Sequence, residues 1–180
     1  MKLINKKIKK DVFLLEGVLK DIELIKILKN KIVNETMTNS VDQRNVLGKS
    51  TNYQFFINDV DFINFIKSIK KEIDKIYPYD FIIREAWGNV YNKNNYAKEH
   101  THMDTTAFCG IIYLSENGPG TYFPELKFTV KEKIGKFVLF SPILKHSVKK
   151  CNGNRITLAF NMDECKPWIN YEKLNNFKYI

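Results

Sequence analysis

A chain of 180 residues is long enough to bury one sizeable core and too short for two domains of ordinary size. With 44% hydrophobic residues, 13% aromatics, 8 Gly and 5 Pro, its composition excludes collagen-like and long low-complexity sequence. The net charge of +9 admits an anionic partner, but the only arginines are Arg44, Arg84 and Arg155, so clustered Arg forks suited to phosphate or guanine are absent.

The start of the chain, MKLINKKIKKDVFLLEGV, lacks the long apolar centre of a signal peptide, and no apolar run reaches the roughly 20 residues that span a bilayer; a cytoplasmic location is expected. Its lysines (Lys2, Lys6, Lys7, Lys9, Lys10) read as a solvated strand edge or arm. From Lys20 to Asn34, Ile22, Ile25, Leu28, Ile32 and Val33 recur at helical spacing behind Asp21 and Glu23, which predicts an amphipathic helix. The stretch SVDQRNVLGKSTNYQFF reads as a loop leading to an aromatic, strand-like segment. A second helix is predicted over Asp59 to Tyr77: Phe62, Phe65, Ile66, Ile69 and Ile73 form a stripe, Lys67, Lys70, Lys71 and Lys75 face away, and Pro78 ends it.

After Pro78 the texture becomes a series of short β-rich runs: FIIREAWGNVY, TAFCGIIYL, GTYFPELKFTV, GKFVLFSP, KHSVKKC and RITLAFNM. Helices followed by many short strands predict one α+β domain over 1–180. Residues 1–78 would be mostly helical support packed on one outer face, and 79–165 an antiparallel jelly roll or barrel. Cys109, Cys151 and Cys165 are odd in number and lack CxxC spacing, so neither a disulfide framework nor a thiolate zinc site is expected.

All three histidines fall in the β-rich half, His100 and His102 in KEHTHMD and His146 in SPILKHSV. In an extended segment residues two apart face the same side, so His102 and Asp104 would present an imidazole and a carboxylate to one point, with His146 as the third corner. Such a set leaves three positions of an octahedral iron(II) open, as oxygen activation with a chelating co-substrate requires. Nine residues after His146, Arg155 and Thr157 share a strand face in NRITLAFN, a fork and a hydroxyl suited to a carboxylate. Trp87, Phe123 and Phe140 read as core, Cys109 as a small buried hydrophobe, and Gly118 with Gly120 as a hairpin turn.

From about Trp87 to Met162 the ordered set WGNVY, HTHMD, CGIIYL, NGPGTYFPE, GKFVLFSP, KHSV and RITLAFN resembles the 2-oxoglutarate/iron(II) oxygenase superfamily, in particular its small prolyl-4-hydroxylase-like members. The resemblance implies a double-stranded β-helix (jelly roll) and a dioxygenase that uses Fe(II), 2-oxoglutarate and O2, releasing succinate as a substrate C–H bond is hydroxylated. It implies that His102, Asp104 and His146 hold the metal, that Arg155 with Thr157 holds the distal carboxylate of 2-oxoglutarate, and that Asn89 and Tyr91 contact the co-substrate. Two registers compete. Counting back from CGIIYL gives His102 with Asp104, preferred because it supplies the carboxylate; counting forward from Asn89 and Tyr91 gives His100, which would make a three-histidine site with Asp104 outside it.

A peptide or small-molecule substrate is expected, with nucleic acid not favoured. Two other classes stay open: a cupin-like metalloprotein, which needs no Arg155, and a non-catalytic β-sandwich that grips nucleic acid through its basic surface.

Overall fold

Asp21 and Asp59 each stand ahead of an apolar periodic run, and each side chain accepts the backbone N–H three residues on, from Leu24 at 3.0 Å and from Phe62 at 2.9 Å. In the computed structural model, which describes residues 3–9, 12–75, 79–105, 107–166 and 178–179, these caps open helices α1 (Ile22–Thr38) and α2 (Val60–Ile73). The first helix runs a turn beyond the predicted Asn34, where Thr36 Oγ1 bonds back to the Ile32 carbonyl at 2.9 Å. The predicted stop at Tyr77 and Pro78 lies outside the described residues, as do Lys2 and Lys10.

The strands are β1 (Leu3–Lys9), β2 (Val12–Val18), β3 (Val46–Leu47), β4 (Lys49–Ser50), β5 (Phe81–Tyr91), β6 (Tyr96–His100) and β7 (Phe108–Tyr113). They continue with β8 (Thr121–Phe123), β9 (Phe128–Val130), β10 (Lys136–Phe140), β11 (His146–Val148), β12 (Arg155–Glu164) and β13 (Lys178–Tyr179). All pair antiparallel. The large sheet has the order β1-β2-β10-β7-β12-β5-β13, with β4 also on β5, and the small sheet the order β3-β6-β11-β8-β9. The two sheets and the two helices give the predicted α+β jelly-roll architecture.

The N-terminal part is less helical than expected. Strands β1 and β2 pair antiparallel, and β2 enters the large sheet, Leu15 opposite Leu139 and Glu16 opposite Val138. The reason lies in VFLLEGV, where Leu14 and Leu15 face opposite sides and both are buried; a strand covered on both faces shows no apolar-polar alternation to betray it.

Strand alternation sorts the large sheet chemically. Along β12, Ile156, Leu158, Phe160 and Met162 join the core shared with the helices, together with Ile83 and Ala86 of β5 and Ile112 of β7. The odd-numbered residues turn to the other side, where Cys109, Ile111, Tyr113, Val138 and Phe140 form a second core with Phe123. At the helix contact a Cβ on Gly88 would lie 2.3 Å from Cγ1 of Ile32, so the missing side chain is what lets α1 lie against β5. Phe62 anchors α2, fully buried with its ring 5.4 Å from that of Phe160. Among the described residues no helix is long and apolar enough to cross a membrane.

Because α2 is held by this ring, Phe62→Ala should cost about 3–5 kcal/mol in a denaturant titration. A loss below about 1 kcal/mol would show that the helix layer is anchored elsewhere.

Candidate metal centre and its cavity

The small sheet carries the histidines to the inside of the roll. His100 ends β6 and His146 begins β11, and the two are cross-strand partners in the antiparallel register. His102 follows just beyond the end of β6, fixed where its N–H donates to the Pro142 carbonyl at 3.0 Å. The ligand-capable atoms of His100, His102 and His146 all lie within 4.8 Å of one another, close enough for one divalent ion to draw them together. Phe140 and Phe123 wall the cluster, their ring centroids 4.8 and 5.9 Å from that of His146.

The imidazoles suit a metal in their protonation as well. His100 Nδ1 sits 2.7 Å from the Lys98 carbonyl and His146 Nδ1 3.2 Å from the Leu144 carbonyl. A carbonyl partner requires the proton on Nδ1, which leaves the Nε2 lone pair for an ion. Burial, then the neighbouring imidazoles, holds His146 well below the ordinary histidine range; burial also lowers His100, and it lowers His102 to about 4 with His100 contributing. All three are neutral at pH 7.

Asp104 stands elsewhere. The segment after His100 is a turn rather than a strand, closed by Thr105 N–H donating to the His102 carbonyl at 2.9 Å, so the two-residue alternation that would put His102 and Asp104 on one side does not apply. The turn carries the Asp104 carboxylate to Arg84, 2.7 Å from Nη2, while Arg84 also donates to the Asp104 carbonyl; the Asp104 side chain is 70% exposed. The imidazoles thus gather without Asp104, which lines the same cavity from its rim.

That cavity has a volume of ≈ 390 Å³ and a floor made by the β5/β12 ladder. Its facing pairs are Arg155 with Tyr91, Thr157 with Asn89, Ala159 with Trp87, and Asn161 with Glu85. From Arg155 to Asn161 is roughly 20 Å of strand. Arg155, Thr157, Asn89 and Tyr91 are therefore brought together at one end, all buried.

The Arg155 guanidinium lies over the Tyr91 and Tyr113 rings, 4.8 and 5.5 Å from their centroids, and donates to Thr121 Oγ1 at 3.1 Å. Its Nε comes within 3.3 Å of Glu132 Oε2 without the alignment of a hydrogen bond, and both atoms are buried. Asn89 is itself tied, accepting from Ser50 Oγ at 2.8 Å. Burial raises the phenols of Tyr91 and Tyr113, the latter to about 12, and raises the Glu132 carboxyl against the opposing effects of Ser115 and Arg155.

Four residues of the cavity region carry chemistry that the sequence reading missed. Trp87, expected as plain core, lines the cavity with a buried Nε1 that has no hydrogen-bond partner. Asn161 and Glu85 continue the polar face of the ladder, and the alternation Arg155, Thr157, Ala159, Asn161 was the available signal for the first. Glu132 gave no signal, because only the folded loop carries it to Arg155. Cys109, Cys151 and Cys165 are free thiols.

The chain matches no protein-family model, and no curated protein matches it in sequence. Solved structures do match its fold. A viral collagen prolyl hydroxylase from Paramecium bursaria Chlorella virus-1, solved with 2-oxoglutarate, superposes with a TM-score of 0.61 at 18% identity, over 82% of this chain and 94% of that one. A prolyl-4-hydroxylase from Pseudomonas putida gives 0.65 at 12% identity, over 85% and 93%. HygX from Streptomyces hygroscopicus, solved with nickel, 2-oxoglutarate and hygromycin B, gives 0.62 at 13% identity, over 84% and 82%. The chain has the fold of the 2-oxoglutarate/iron(II) oxygenases.

Depressed histidine values fix a sign for the pH dependence. Between about pH 6.5 and pH 4 the unfolded chain binds protons that folded His102 does not, so the metal-free protein loses stability as pH falls through that window. Thermal melts in chelator from pH 7 to pH 4 should show a shallower decline for His102→Gln than for the unaltered chain. Parallel curves would mean that His102 is not held neutral.

Proposed function

We propose that this chain is a 2-oxoglutarate-dependent iron(II) dioxygenase that hydroxylates a small-molecule or peptide substrate. The observation that carries the reading is the convergence of three neutral imidazoles beside a buried arginine in one cavity of a jelly roll. The oxygenase fold of the solved neighbours supports it.

On this reading His100, His102 and His146 hold the metal, and the carbonyls at Lys98 and Leu144 keep two of the rings turned with Nε2 inward. Iron(II), 2-oxoglutarate and O2, when bound, supply oxidative decarboxylation to succinate coupled to oxidation of a substrate C–H bond. Arg155 holds the distal carboxylate, with Thr157 and Thr121 offering hydroxyls at the same end of the cavity. Tyr91 and Tyr113 exclude water there and stay protonated, so they add donors rather than negative charge. Phe123 and Phe140 keep the metal face apolar.

The ligand set His102, Asp104 and His146 would require Asp104 to leave Arg84 and turn inward. Asp104 lines the same cavity, so such a turn would bring its carboxylate towards the imidazoles.

Anaerobic iron(II) titration should find one site per chain, lost in His146→Ala. His100→Ala should weaken iron binding by roughly a hundredfold or more and Asp104→Asn by less than about threefold; the reverse order would establish the carboxylate set. Arg155→Ala should raise the 2-oxoglutarate concentration needed for succinate release by roughly 10- to 100-fold while shifting iron affinity little. Iron uptake indifferent to 2-oxoglutarate and to Arg155 would instead indicate a cupin-like metalloprotein. Salt-dependent nucleic-acid binding with no metal would indicate a binding module.

A further inference from the structure

Charge in the cavity is matched almost everywhere. Arg155 faces Glu132 and Arg84 faces Asp104. Arg44, the remaining cation of the lining, is exposed to solvent. Glu85 is different: among the described residues it has no ion-pair partner, and its one hydrogen bond is from Asn161 Nδ2 to Oε2 at 2.7 Å.

The groups around Glu85 are also short of partners. Asn161 is 3% exposed and its Oδ1 accepts nothing; Trp87 is 5% exposed and its Nε1 donates to nothing. A buried polar atom left unpaired costs stability unless a bound molecule satisfies it, and both side chains line the cavity. The Trp87 ring meets the Tyr53 ring edge to face, centroids 5.1 Å apart. Burial and the Glu85 charge together raise the Tyr53 phenol, so that group stays neutral. Two oxygen acceptors, one of them anionic, thus stand beside two aromatic rings, a surrounding that favours a cation bearing N–H donors.

We infer that the Glu85, Asn161, Trp87 and Tyr53 end of the cavity is the substrate subsite and that it takes a protonated amine. The inference rests on the oxygenase reading and adds to it the charge class of the substrate. Asn161 Nδ2 lies 3.4 Å from His102 Nδ1, so an ammonium held by Glu85 and Asn161 stands next to the metal ligands. The carbon presented for oxidation is then only a few bonds from the nitrogen. The Trp87 Nε1 donor suits a hydroxyl or carbonyl oxygen on the same molecule.

Benzylamine, benzyl alcohol and phenylacetate offer one ring with a positive, neutral or negative group. Calorimetric titration of each is made into the full chain, first loaded anaerobically with iron(II) and 2-oxoglutarate and then metal-free. Benzylamine should bind roughly tenfold or more tightly than benzyl alcohol in both states, and phenylacetate weakest. Glu85→Gln, which keeps the size of the side chain and an acceptor for Asn161, should erase that preference, with its fold checked by thermal melting. Equal binding of the three probes, a preference for phenylacetate, or an amine preference that survives in Glu85→Gln would overturn the inference. Failure of iron(II) or 2-oxoglutarate to bind would overturn the oxygenase reading alone, because the metal-free titration reads the subsite without them.

Discussion

The antiparallel ladder between β5 and β12 is the constraint on which the rest of the structure depends. Ten register pairs from Arg155 with Tyr91 to Glu164 with Phe81 hold two strands that are covered on both faces. Because side chains alternate, one register decides both the apolar layer under the helices and the polar floor of the cavity. A slip by one residue would send Arg155 and Thr157 into the helix interface and Ile156 and Leu158 into the cavity. Burial of Leu158, Phe160 and Met162 under α1 and α2 therefore also fixes the positions of the groups that face a ligand.

The small sheet solves a different problem, which is to bring three imidazoles from two chain segments to one point. Cross-strand pairing does this for His100 and His146, whose positions are opposite by register. For His102 the strand has already ended, and the backbone bond to Pro142 and the turn closed by Thr105 do the placing. The same turn sends Asp104 outward to Arg84, a residue of β5. One local feature, the end of β6 at His100, thus divides the residues of HTHMD between the inside of the roll and its rim.

Much of this was legible in the sequence where a single period governs a segment. The stripe from Phe62 to Ile73 gave α2 and its start after Asp59, and Arg155 and Thr157 were read correctly as sharing one face of a strand. The lysines of β1 were read as a solvated strand edge or arm, but β2 was not legible as part of the large sheet, since a doubly buried strand lacks alternation. The register of His102 with Asp104 was preferred over the one with His100, because spacing alone does not say whether HTHMD is extended or turned, and the contacts that shape the segment, His102 with Pro142 and Asp104 with Arg84, come from distant parts of the chain. Glu132 and Tyr53 reach the cavity region through loop packing, which no periodicity encodes.

Desolvation explains why the cavity pairs its charges as it does. A lone guanidinium buried like Arg155 would carry a penalty of several kcal/mol, and Glu132, two aromatic faces and the Thr121 hydroxyl offset it before any ligand arrives. On the proposed reading an incoming carboxylate finds the guanidinium already held in place against Thr121 and the two rings. At the metal cluster the same burial keeps the imidazoles uncharged, and on the proposed reading iron(II) with the dianion 2-oxoglutarate adds no net charge there. Apart from the solvent-exposed Arg44, what remains is the negative charge of Glu85 at the far end of the cavity floor, next to two buried atoms that lack hydrogen-bond partners. A half-buried carboxylate without an ion-pair partner discriminates by the charge of its ligand more than by its shape, because a neutral or anionic molecule there would leave it unmatched.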